Sequence, residues 1–125
     1  MAEKPAAENE KPNHKLLLII LDHAELVDEI LTGFLDIGVP GATVVESRGM
    51  GSIIRQEMPM FAGLASLFPE HTGSRIVLSV MPQELVDAVL EMVEEVVGQL
   101  DKPNSAVCVT VPVDQFKGVR QKKNQ

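Results

Sequence analysis

The sequence predicts an α+β fold of the ferredoxin-like type, βαββαβ, with two helices over one face of a four-stranded antiparallel sheet. Three observations carry this. Four short runs rich in Val, Leu and Ile are bounded by turn residues, and two longer runs keep helical spacing. Their order along the chain is strand, helix, strand, strand, helix, strand. At 125 residues the chain has the length of one domain that buries its own core.

Residues 1–14 are polar, with two prolines and no periodicity, and read as a disordered extension. Lys15 to Leu21 is the first strand. Asp22, with Glu25 three residues on, makes a capping-box pattern. From Ala24 to Ile37 the residues Leu26, Val27, Ile30, Leu31, Phe34 and Ile37 keep helical spacing, with Glu25, Asp28, Glu29 and Asp36 on the wet side. Gly38 ends that helix. Ala42 to Ser47 is the second strand, residues 49–73 are a long loop, and Arg75 to Met81 is the third strand. Pro82 suits the first turn of a second helix, which turns Leu85, Val89, Met92, Val93, Val96 and Leu100 inward. Glu84, Asp87, Glu91, Glu94 and Glu95 face out. Gly98 and the Asp101-Lys102-Pro103-Asn104 turn close it. Ser105 to Val113 is the fourth strand, and residues 114–125 form a basic tail.

The strands predict more than topology. A sheet with helices on one face and water on the other alternates apolar with polar residues. Leu16 to Leu21 is apolar on both faces, and Ile76 to Met81 is nearly so. With no third helix in the pattern, the simplest cover for the second face is another copy of the same sheet. An obligate homo-oligomer with its open sheet faces turned inward follows.

Composition excludes several functions. Net charge is -7, and residues 15–113 hold fourteen acids against five bases, whereas the tail holds four bases and one acid. A body this acidic repels a phosphate backbone, and there is no Trp or Tyr to stack on bases, so nucleic-acid binding is not expected. No apolar run reaches the length of a membrane span, and the N-terminus lacks an apolar signal region, which points to the cytoplasm. The single Cys108 rules out an internal disulfide; set among valines, it reads as a small buried hydrophobe. His14, His23 and His71 have no ligand spacing, although His71 and Glu70 could meet a metal across subunits. No catalytic triad, Cys-His pair or paired-carboxylate site assembles, and an enzyme is not expected.

The segment Gly38-Val39-Pro40-Gly41-Ala42-Thr43-Val44-Val45-Glu46-Ser47-Arg48-Gly49-Met50-Gly51 resembles the PII signal-transduction superfamily at the end of the first helix, the second strand and the Gly-x-Gly that opens the long T-loop. The resemblance covers residues 15–113 by element order, and only this segment is motif-specific. It implies a homotrimer in which an effector, such as ATP, ADP, AMP or cyclic AMP, binds in clefts between subunits. The T-loop then changes shape to engage or release a target such as a membrane transporter or an enzyme. Carried over, Thr43 is the strand threonine, and Gly49 and Gly51 are hinge glycines whose backbone approaches phosphate. Glycine permits φ > 0 and lets N–H groups face an anion, but both glycines would equally serve only to turn the chain out of the sheet. Arg48, Arg55, Arg75 and Lys102 are the available anion partners.

The departures are specific. Typical nucleotide-binding members follow the Gly-x-Gly with a basic residue and a glutamine that serve magnesium and 2-oxoglutarate; Ser52 and Ile53 stand there instead. The family's glycine- and lysine-rich phosphate loop is reduced to Leu100-Asp101-Lys102-Pro103-Asn104, and the modified T-loop tyrosine has no counterpart. The chain resembles a divergent member, and nitrogen regulation comes only from that resemblance. Its loop is unusually apolar: Arg55, Met58, Met60, Phe61, Leu64 and Phe68 either pack on their own trimer or dock a partner protein. Alternatives are a trimeric structural protein without a ligand, a divalent-cation-tolerance-like protein, and an amino-acid-binding ACT-type domain.

Overall fold

The computed structural model describes residues 13–57, 60, 73–98 and 106–118. Four strands, β1 (His14–Leu21), β2 (Thr43–Ser47), β3 (Ser74–Pro82) and β4 (Ala106–Val113), form one sheet in the order β2-β3-β1-β4, with every neighbour antiparallel. The helices are α1 (Val27–Ile37), α2 (Met50–Glu57) and α3 (Val86–Val97), the first and last each entered through a single 3-10 turn. This is the ferredoxin-like arrangement.

The core lies between the sheet and the α1–α3 layer. In an extended strand alternate residues share a face, and Leu17, Ile19 and Leu21 are fully buried on one side of β1. Register sets Leu17 opposite Ser79 and Thr110, and Ile19 opposite Val77 and Cys108. Ile30 and Phe34 from α1 and Val89 and Val93 from α3 close over them. The predicted stripes of both helices point inward, and the five acids of the second helix face solvent.

Helix ends follow glycine where predicted. Gly38 caps α1 in the left-handed region (φ +100°), its N–H donating to the Phe34 carbonyl, and Gly98 (φ +92°) follows the last residue of α3. Leu100, predicted to extend the inward stripe, lies outside the described residues. Asp22 does not cap a helix: His23 stands at that position with no side-chain cap, and the Asp22 carboxylate instead accepts from the Ser74 hydroxyl at 3.0 Å. A hydroxyl buried on β3 needs a partner, and the end of β1 is what faces it. Pro82 is not in a helical turn either; it is the last residue of β3, with ψ 143°.

The other face of the sheet carries Leu16, Leu18 and Ile20 from β1, Ile76, Leu78 and Val80 from β3, Val107, Val109 and Val111 from β4, and Val45 beside Thr43 from β2. No element of the described residues covers it. Ile20, Val45, Val107, Val109 and Val111 are between 38% and 54% exposed. At one end of this face lies the Asp22–Ser74 pair, and at the other Phe116 meets the His14 ring edge-on at 4.5 Å. An aliphatic surface of this continuity is uncommon on a protein that stays alone in water.

Candidate functional site

β2 organises the predicted site residues, and it separates them. Before β2 the chain runs Pro40-Gly41-Ala42 along the edge of β3, held there by the Ser79 hydroxyl, which donates to the Gly41 carbonyl at 2.6 Å. A cavity of about 350 Å³ opens at this edge, lined by Leu16, Pro40, Gly41, Ala42, Thr43, Leu78, Ser79 and Val80. Its walls are chiefly aliphatic. With Ser79 engaged, the exposed Thr43 hydroxyl is the side-chain group left to give direction to a ligand. The chemistry suits a flat apolar group offering one hydrogen bond.

Arg48, Gly49 and Gly51 stand beyond the other end of β2. Its five residues at about 3.3 Å each put roughly 13 Å between Thr43 and Ser47 alone. Thr43 and the Gly-x-Gly therefore do not meet within one chain.

The Gly-x-Gly is also not a left-handed hinge. Among the described residues the glycines with positive φ are Gly38, Gly73, Gly98 and Gly118. Gly51 sits in the first turn of α2, and the Ile53 N–H donates to the Gly49 carbonyl at 3.1 Å, opening that helix. The long loop thus begins as eight helical residues. Among the described residues nothing lies within 4 Å of a β-carbon built at Gly49.

Arg48 and Arg75, both of the predicted site, are engaged within the chain. Arg48 Nη2 lies 2.5 Å from Glu57 Oε2 at the far end of α2. Arg75 donates through Nη1 to the Ser74 carbonyl at 3.0 Å and stands 3.9 Å from Glu46, its cross-strand neighbour on β2. Glu46 emerges as the partner of Arg75 only through the register of β2 on β3. Glu57, nine residues from Arg48, gave no signal at all.

Arg55 lies in α2 and Met60 is exposed. Met58, Phe61, Leu64, Phe68, Lys102, Glu70 and His71 lie outside the described residues. Burial, and then the Glu94 carboxylate, push the Cys108 thiol above its ordinary pKa, the reverse of what a nucleophile needs. No three His, Cys, Asp or Glu side chains converge on a metal site among the described residues, and no helix there is long and apolar enough to cross a membrane.

No family model and no curated protein matches the chain in sequence. Solved structures do match it in shape. The chain superposes on Arabidopsis thaliana PII, in a structure bound to citrate, with a TM-score of 0.58 at 15% identity, over 83% of this chain and 80% of that one. It superposes equally on a protein of unknown function from Pediococcus pentosaceus, with a TM-score of 0.58 at 18% identity, over 86% of this chain and 99% of that one. With the βαββαβ order, the sheet order and the long β2–β3 connection, these superpositions show that the chain has the PII-like fold.

Proposed function

We propose that the protein is a non-enzymatic regulator of the PII type, a homotrimer that binds a small anionic effector between subunits and reports it to a partner protein through the β2–β3 connection. The observation that carries this reading is the separation of the site. Thr43 with its apolar cavity lies at one end of β2 and Arg48 with Gly49 and Gly51 at the other, so a ligand that uses both either stretches along the strand or draws them from different copies, and the uncovered sheet face favours the second. The uncovered aliphatic face supplies the reason for copies to associate.

An adenine nucleotide matches the two halves best. Its base suits the aliphatic cavity beside Thr43, and its phosphates suit Arg48, Gly49 and Gly51 of a neighbour, with Arg75 and Lys102 as further cations. Ligand would then favour one conformation of the connection over another, and the target would read that difference through Arg55, Met58, Met60, Phe61, Leu64 and Phe68. A second reading, a structural trimer without a ligand, is favoured by the internal pairing of Arg48 and Arg75 and by Ser52 and Ile53 after the Gly-x-Gly.

Native mass spectrometry and titration calorimetry separate the readings. The trimer mass is expected, with heat on adding one or more of ATP, ADP, AMP and cyclic AMP, and none with 2-oxoglutarate. A trimer silent to every nucleotide leaves the structural reading; a stable monomer removes both.

A further inference from the structure

The cation beside the Gly-x-Gly is held by the chain itself. Arg48 stands two residues before α2 and Glu57 is its last residue, so their 2.5 Å contact spans the whole helix. Each charge is at the wrong end for the helix dipole, positive beside the N-terminus and negative at the C-terminus. Their pairing offsets that disadvantage. Among the described residues little else holds α2: it has eight residues where an isolated helix in water needs about a dozen, a glycine in its first turn and two adjacent β-branched isoleucines. None of the extensive contacts between elements of the described residues involves it.

We propose that Glu57 is a built-in competitor for the anionic effector: effector oxygens and the Glu57 carboxylate take Arg48 in turn, and effector occupancy releases Glu57 and unwinds α2. This rests on the reading above, in which an anion engages Arg48, and adds how its arrival is transmitted. Both side chains are about half exposed, at 48% and 54%, so the exchange of partners disturbs no core residue. A neutral ligand lacks the charge to displace the carboxylate. A free Glu57 at the C-terminus of α2 then works against the helix at the point where the chain enters the rest of the connection.

The test uses the full chain, ATP and inorganic triphosphate as probes, and the variants Glu57→Gln and Glu46→Gln. Glu46 is exposed and belongs to the same end of β2; its partner is Arg75, a further cation of the proposed site, at 3.9 Å against 2.5 Å for Arg48 and Glu57, so its neutralisation loosens only the weaker contact and leaves Arg48 held. Glu57→Gln is expected to bind both probes about two- to fivefold tighter than wild type, the range an exposed ion pair supplies. Glu46→Gln changes affinity less. Amide hydrogen exchange across residues 53–57 accelerates in wild type on adding ATP and responds less in Glu57→Gln, which has no carboxylate to release. Unchanged affinity in Glu57→Gln, or an equal gain in Glu46→Gln, overturns the competition and leaves the effector site standing. Absence of binding in every variant overturns the effector site and the competition together.

Discussion

At Gly33 the missing side chain is what lets α1 and α3 approach. A β-carbon built there lies 2.5 Å from Met92 Cγ and Sδ, closer than any real contact allows. The neighbour is flexible, so alanine can be admitted by a rotation of Met92, partly offset by better helix propensity. A branched or longer chain has no such exit, because Val89 and Val93 on the same helix are fully buried. Gly33→Leu is expected to lower stability by about 1–3 kcal/mol. Urea unfolding should show this as a lower midpoint with an unchanged slope, and adding Met92→Ala should restore part of the loss. The same scale governs Asp22. A capping box is a local pattern, and the residues for one are present, but the carboxylate bonds to Ser74, fifty-two positions away in sequence. No spacing rule reaches that far, which is why the pattern misleads here.

Among the elements, those with a buried stripe are readable from the chain and the one without is not. α1 and α3 repeat apolar residues with helical period and bury Ile30, Phe34, Val89 and Val93; the strands of the sheet lie within one or two residues of their predicted ends. α2 is short, and none of its described side chains is fully buried. Gly51, Ser52, Ile53 and Ile54 are a weak helical sequence, and what closes it is an ion pair nine residues long and a carbonyl at Gly49. The site divides in the same way. Thr43, Arg48, Gly49 and Gly51 are proposed from the Gly41–Gly51 run, whereas their separation depends on the length of β2, the partner of Arg75 on strand register and the partner of Arg48 on α2. Glycine ends the first helix by conformation: Gly38→Ala places a β-carbon at φ +100° with nothing among the described residues within 4 Å to clash against, so its penalty is torsional. A loss of about 1 kcal/mol is expected from the left-handed geometry, read as a lower thermal midpoint.

For the whole molecule, the uncovered sheet face is the surface on which the proposed assembly depends. Val109 is 40% exposed at the middle of β4, and its side chain takes no part in the core between sheet and helices. Val109→Glu is therefore expected to leave the monomer folded, with its circular dichroism intact, while native mass spectrometry shows the higher assembly lost. Unaltered assembly in this variant means the copies associate elsewhere. The two-ended character of β2 has a consequence at this scale that a lone chain does not display. If the proposed site is shared between subunits, Thr43→Val and Arg48→Gln each spoil one half of it, so either variant expressed alone forms no intact site. Expressed together in equal amounts, their subunits mix, and an intact site forms wherever the sound half of one variant faces the sound half of the other. Random mixing makes that about a quarter of all sites, and nucleotide calorimetry on the mixed protein should recover about that share of the wild-type stoichiometry. Two broken genes would then make one partly working protein, each supplying the half that the other lacks.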